Sequence, residues 1–214
     1  LTGIPLAVNT VMLPLFSGAI GMTVFFVMVV APVEEAAKGL AIRIGPFRSD
    51  RFDAVIDGTV YGAFAGLGFA TMENALYISG TSVFGATGLE PTLSGAVARA
   101  GMAPGHVLFS AIVGYYVGLA KFSDGYEGAL ALKGLLIAGL LHGALNTAIW
   151  SLSPDDVVGE SIGVVLQHGF AGLTLLSAER IGVLLAILAV YGIAAAFLLH
   201  KIKRYNADHR GQAA

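Results

Sequence analysis

Two adjacent glutamates, Glu34 and Glu35, are the first charged side chains of the sequence, and Lys38 follows them by one helical turn in a largely apolar stretch. Further along, Glu73 and Asn74 sit together, Arg99 and His106 lie seven residues apart, and His142 and Asn146 lie four apart, each group again among apolar neighbours. A carboxylate at bilayer depth costs at least about 2.5–3.5 kcal/mol, so it turns toward a protein interior or a wet cavity and marks a functional pathway. Such groups can do two kinds of chemistry. A buried glutamate can act as general base on water near neutral pH, while histidine and asparagine donate hydrogen bonds to the oxyanion of a tetrahedral intermediate. The same groups could instead hold a divalent metal such as zinc, with His106, His142 and a glutamate, Glu73, as ligands and another glutamate as base.

Each residue also has a plainer reading. Glu34 and Lys38, at i and i+4, could be a structural ion pair, which leaves Glu35 unexplained. A lone histidine inside a membrane is usually a hydrogen-bonded packing residue. Two histidines, three glutamates, two asparagines and an arginine on four segments are better explained by convergence on one buried hydrophilic site. Spacing supports this: His106 shares a face with Arg99 and with Ser110, and His142 shares one with Asn146. Glu35, His106 and His142 each lie on the order of 15–20 Å from their helix ends, near a midplane, and Glu73 lies nearer the outer end of its helix. Pro32 suits the first turn of a helix or a kink, so free backbone N–H groups are expected near the glutamates, and Pro104 loosens the helix beside His106.

The elements that must carry these residues are membrane helices. Of 214 residues, 56% are hydrophobic and only 12% charged, against about 25% charged in soluble domains. The expectation is an all-α, polytopic transmembrane helical bundle of about six spans in a lipid bilayer, a multi-pass protein of the cell membrane. The apolar segments fall at 4–16, short and holding Pro5 and Pro14, then at 22–44, 54–79, 93–121, 129–152 and 181–200. The chain reads as one integral-membrane domain, 1–214, with a motif core over 29–147, a C-terminal helix over 181–203 and a basic polar tail over 204–214.

Basic residues cluster at Arg43, Arg48 and Arg51, at Lys121 and Lys133, and at Lys201, Lys203, Arg204 and Arg210, whereas 80–92 and 154–160 hold only acidic charges. The basic clusters therefore belong to the cytoplasmic side. The apolar segment 157–176 is expected to be re-entrant or interfacial on the opposite side, since a full crossing there would put the basic tail outside. Gly58, Gly62 and Gly66, like Gly114 with Gly118 and Gly139 with Gly143, recur every four residues and mark close helix packing. The net charge of −2 and the lack of a basic stripe exclude nucleic acid as a partner, and the absence of cysteine excludes disulfides and thiol catalysis. No oligomeric state is implied.

Other intramembrane hydrolase patterns are missing. There is no His-Glu-x-x-His zinc helix, no Gly-x-Ser-Gly element and no pair of membrane-embedded aspartates. What the chain does carry is Glu34-Glu-Ala-Ala-Lys38, Gly66-Leu-Gly-Phe-Ala-Thr-Met-Glu73-Asn74, His106 on a helix also bearing Arg99, and His142-Gly-Ala-Leu-Asn146, in that order. Over roughly 29–147 it resembles the PrsW family of intramembrane proteases, and more distantly the CAAX prenyl endopeptidases and related bacteriocin-immunity-type membrane proteins. Glu73 stands where the prenyl endopeptidases carry a histidine, and Lys38 fits the PrsW pattern better than theirs.

The resemblance implies a helical protease that cuts membrane-anchored protein or peptide substrates, with regulatory cleavage of an anti-sigma factor as the family's best-known role. By analogy, Glu34 would activate water, Glu35 would assist, and His142 with Asn146 would stabilise the oxyanion, with Lys38, Asn74 and Arg99 in support. The family is often classed with metalloproteases and its relatives are argued to be metal-free glutamate proteases. Two rival readings remain: a proton- or ion-coupled transporter using the Glu/His cluster as a relay, and a non-catalytic binding or immunity protein. The lack of visible inverted repeats counts against the transporter.

Overall fold

The computed structural model describes residues 2–78, 93–152, 161, 164–165 and 167–210. Among these the chain is helical without strands, in seven α-helices: α1 Gly3–Met12, α2 Gly18–Phe25, α3 Ala31–Ile44, α4 Val55–Ile78, α5 Leu93–Lys121, α6 Glu127–Leu152 and α7 Ala178–Arg210. Five stretches are long and apolar enough to cross a membrane: Gly18–Arg48, Val55–Leu76, Ala100–Lys121, Glu127–Ser151 and Ala178–Asp208. The expected first segment is a shorter apolar helix, Gly3–Leu15, because Pro14 tightens its end into a 3₁₀ turn at Leu13–Leu15. Part of the expected re-entrant segment, at 157–160, 162–163 and 166, lies outside the described residues. Its end is a 3₁₀ stretch, Gly169–Leu175, leading into α7. That last helix runs on to Arg210, past the expected boundary at 203, since no glycine or proline falls between Lys203 and Gly211.

Pro32 lies in the first turn of α3, as expected, directly after a helical irregularity. A π-helical turn, Phe26–Val30, joins α2 to α3, and the Ala31 N–H donates to the Phe26 carbonyl, so the span continues through the proline. The wider turn absorbs the N–H that proline lacks, and π turns of this kind recur at functional sites. Glu34 and Glu35 follow within the next turn.

At the start of α4, the Asp57 carboxylate reaches back to accept hydrogen bonds from the backbone N–H groups of Asp53 (3.0 Å) and Ala54 (2.8 Å), satisfying donors that a helix N-terminus leaves open. The preceding loop is tied to the end of α5, where Lys121 Nζ donates to the Phe52 carbonyl at 2.6 Å. Tyr115 in α5 donates to the Lys201 carbonyl of α7 at 3.2 Å, and Lys133 lies over the Tyr116 ring. The three basic clusters therefore gather at one end of the bundle, as a common cytoplasmic side requires.

Helices α4 and α5 touch backbone to backbone. A Cβ added to Gly58, Gly62 or Gly66 would strike the carbonyl oxygen of Gly114, Ser110 or His106, and one added to Gly118 would strike that of Val55. Without side chains in between, α4 is held against the stretch of α5 that carries His106 and Ser110. Gly68, two positions on, faces open space. Gly66→Ala should therefore destabilise the protein by about 1–3 kcal/mol through overpacking, while Gly68→Ala should stay close to wild type. Thermal melting of the two purified variants decides it, and equal melting temperatures would contradict this packing. The main core lies on the other side of α5, where Phe109, Ile112 and Tyr116 pack with Ile42, Ala138, Leu145, Val183 and Ile187 from α3, α6 and α7.

Candidate active site

The polar residues of four helices meet in the interior. Glu35 is wholly buried in α3, and its Oε1 accepts from Lys38 Nζ at 2.6 Å and lies 2.9 Å from His142 Nδ1 in α6. Its other oxygen, Oε2, accepts from the hydroxyl of Ser110 in α5 at 3.3 Å. Lys38 Nζ also lies 3.1 Å from His106 Nδ1, and His106 Nε2 lies 3.0 Å from Glu73 Oε2 of α4. Glu34 stands at the edge of this network: its Oε2 is 3.8 Å from His142 Nε2 and 3.9 Å from Lys38 Nζ.

Partner chemistry settles which ring nitrogens carry hydrogen. An ammonium only donates, so His106 Nδ1 accepts from Lys38, and its Nε2–H donates to Glu73. In the other ring Nδ1–H donates to Glu35, which turns the Nε2 lone pair toward Glu34. Aromatic rings wall the cluster. Phe109 stacks on His142 with centroids 5.5 Å apart, Phe69 lies 5.7 Å from the His106 ring, and Lys38 Nζ sits 4.3 Å over the Phe69 ring. The two imidazoles meet edge to face at 5.1 Å. These apolar walls lower the local dielectric, which strengthens each charge interaction within.

Glu34, Glu35, Lys38, Glu73, His106 and His142 are thus brought together. Glu73 joins them although its sequence position lies toward the outer end of α4, because the glycine face of that helix lets it slide against α5. Asn146 is half-buried one turn beyond His142 and makes no hydrogen bond among the described residues. Asn74, next to Glu73, is half-buried, and the side chain of Arg99 lies outside the described residues. Three contributors were not singled out from the sequence as site residues: Ser110, Phe69 and Phe109. Ser110 falls on the His106 face by spacing alone, which could have signalled it, whereas an apolar wall formed by two phenylalanines has no signature in a chain this rich in apolar residues.

One donor atom each from Glu34, His106 and His142 lies within 4.8 Å of the others. This is a two-histidine, one-carboxylate set of the kind that binds catalytic zinc, with Glu34 in the place expected for Glu73, and His106 would have to release Lys38 or Glu73 to offer a ring nitrogen. Ligands on one zinc stand closer together than 4.8 Å, so the three side chains would have to draw in by about an ångström. Charge favours that closure. With their carboxylates ionised, Glu34, Glu35 and Glu73 outweigh the Lys38 ammonium among the described residues, an excess that a divalent cation would balance where bare charge is costly. The Glu35 carboxylate behind His142 also matches the second layer that orients metal-bound imidazoles.

The sequence also matches known proteins. Residues 1–174 match the family described as PrsW family intramembrane metalloprotease. The chain belongs to that family. It is 34% identical over 137 residues to a protein named Protease PrsW from Geobacillus kaustophilus, covering 64% of this chain and 55% of the relative. Against Protease PrsW of Bacillus subtilis it is 34% identical over 122 residues, covering 56% and 52%. The corresponding Clostridioides difficile protein is 32% identical over 117 residues, covering 53% and 47%. The chain therefore spans about half the length of the curated PrsW relatives it matches. No solved structure matches it significantly. The PrsW match takes in α1 through α6, the helices that supply every residue of the cluster, and stops short of α7.

Proposed function

We propose that this protein is an intramembrane endopeptidase of the cell membrane that hydrolyses peptide bonds in membrane-anchored proteins. The observation that carries the reading is the meeting of Glu34, Glu35, Glu73, His106 and His142, from four helices, around one buried ammonium.

The division of labour follows from the contacts. Glu35 has both oxygens engaged, by Lys38, His142 and Ser110, so it positions the site. The 3.8 Å between the Glu34 carboxylate and His142 Nε2 is a span that a bridging water would close. Glu34 is thus the group placed to take a proton from attacking water, with His142 Nε2 beside it to relay that proton to the leaving amine. Lys38 stabilises negative charge on both glutamates, and Glu73 keeps the His106 ring in register. In a metal-bound form Glu34, His106 and His142 would instead be the ligands of a divalent ion such as zinc, which would supply Lewis-acid polarisation of water and of the scissile carbonyl in place of the base role of Glu34. A single-span anti-sigma-type protein is the substrate class to test first.

The test is cleavage of single-span substrates by purified protein in proteoliposomes, with elemental analysis before and after chelation. Cleavage should be lost in His142→Ala, and about one zinc per chain should leave together with activity. Ion or proton flux through the liposomes without any cleavage would overturn the peptidase reading. Full activity of metal-free protein would confine the chemistry to the glutamates and histidines themselves.

A further inference from the structure

The last helix lies beyond the residues that match the PrsW family, yet it reaches the neighbourhood of both histidines. Pro104 interrupts α5 two residues before His106. Having no N–H, it cannot donate to the carbonyl four residues back, so the helix is loosened where it must aim an imidazole. At this turn the hydroxyl of Tyr191, from α7, donates to the Gly101 carbonyl at 3.0 Å, with the Met102 carbonyl at 3.4 Å as a second acceptor.

The tyrosine ring is seated as closely as its hydroxyl. Gly105, directly before His106, leaves the room: a Cβ there would come within 2.9 Å of Tyr191 Cε1, 3.2 Å of Leu145 Cδ2 and 3.3 Å of Phe109 Cε2. Leu145 stands one turn from His142, and Phe109 stacks on the His142 ring. Tyr191 thus wedges against the junction of the two histidine helices and ties down the weakened turn between them. We propose that Tyr191 is a positioning residue of this site, its hydroxyl holding the proline-interrupted turn of α5 so that His106 meets Lys38 and Glu73. Its effect on catalysis rests on the peptidase reading above; its effect on His106 does not.

A matched control exists within the same helix pair. Tyr115 also donates its hydroxyl between α5 and α7, to the Lys201 carbonyl at 3.2 Å, but nine residues from His106 at the far end of the interface. Tyr191→Phe and Tyr115→Phe each delete one interhelical hydrogen bond, so a purely structural loss would treat them alike. The experiment combines cleavage kinetics, melting, and nuclear magnetic resonance of ¹⁵N-labelled histidine, with the His106 signals assigned from a His106→Ala sample. Tyr191→Phe should move the His106 ring signals and lower kcat by about 10- to 100-fold, as small misplacements of reacting groups do, with KM within about twofold of wild type. Tyr115→Phe should leave both unchanged. Gly105→Ala, which displaces the tyrosine ring and keeps its hydroxyl, should move the same signals and covers the case in which Tyr191→Phe folds poorly. Unmoved His106 signals in Tyr191→Phe, or equal shifts in Tyr115→Phe, would overturn the proposal. If the wild-type protein cleaves nothing, the resonance arm still decides the role of Tyr191 while the peptidase reading fails separately.

Discussion

Replacing Glu34 by glutamine should lower the rate of substrate cleavage by about 10²–10⁴-fold, the usual contribution of a positioned general base, while leaving the fold intact. The amide keeps the size of the side chain and removes its capacity to accept a proton. It should cost less stability than loss of Glu35, which holds Lys38 and His142 at 2.6 and 2.9 Å where Glu34 stands 3.9 and 3.8 Å from them. Glu35→Gln should behave differently. That carboxylate gathers Lys38, His142 and Ser110 within 3.3 Å, so the amide, itself partly a donor, loses acceptor capacity in the middle of the network and lowers both activity and melting temperature. Single-turnover cleavage and thermal melting of the two variants side by side separate base from anchor. A Glu34→Gln protein that cuts at the wild-type rate would remove Glu34 from the mechanism.

Lys38→Met should be the most damaging substitution for stability, costing about 3–5 kcal/mol, because it strips the single ammonium from a buried cluster of three carboxylates. Methionine fills the stem, so lost volume is a small part of the effect. The ammonium is 2.6 Å from Glu35 Oε1, donates to His106 Nδ1 and rests over the Phe69 ring, and none of these contacts has a substitute. A second substitution that removes negative charge should restore part of the loss. Lys38→Met with Glu35→Gln is therefore expected to melt higher than Lys38→Met alone, in spite of carrying two changes. If Lys38→Met melts like wild type, the lysine is not the counter-charge of the site and the cluster is balanced in some other way.

A good part of this molecule was legible before any coordinates. Hydropathy places the long helices up to α6 to within a few residues, because a span must satisfy its own backbone and stay apolar over about 20 residues, while α7 runs on past its apolar stretch to Arg210. The i and i+4 rule put Glu34 with Lys38 and, one turn on from His106, put Ser110 on the His106 face, as the contacts of both with the cluster bear out. The glycine spacing announced close packing, which the α4–α5 contact realises. Asn146 shares the His142 face by spacing and is half-buried one turn beyond it.

What the sequence determined by itself, then, is everything that depends on neighbours a few residues apart: which stretches span, which polar groups share a helical face, and the motif order that marks the PrsW family. The tertiary structure alone decided which faces meet. That Glu73 closes on His106 rather than lying apart, that Glu34 rather than Glu73 groups with both histidines, and that Tyr191 braces the Pro104 turn all depend on how helices rotate and slide against one another. Those rotations are set by glycine contacts and side-chain packing between segments tens of residues apart, and the periodicity of one helix carries no information about the partner it will find.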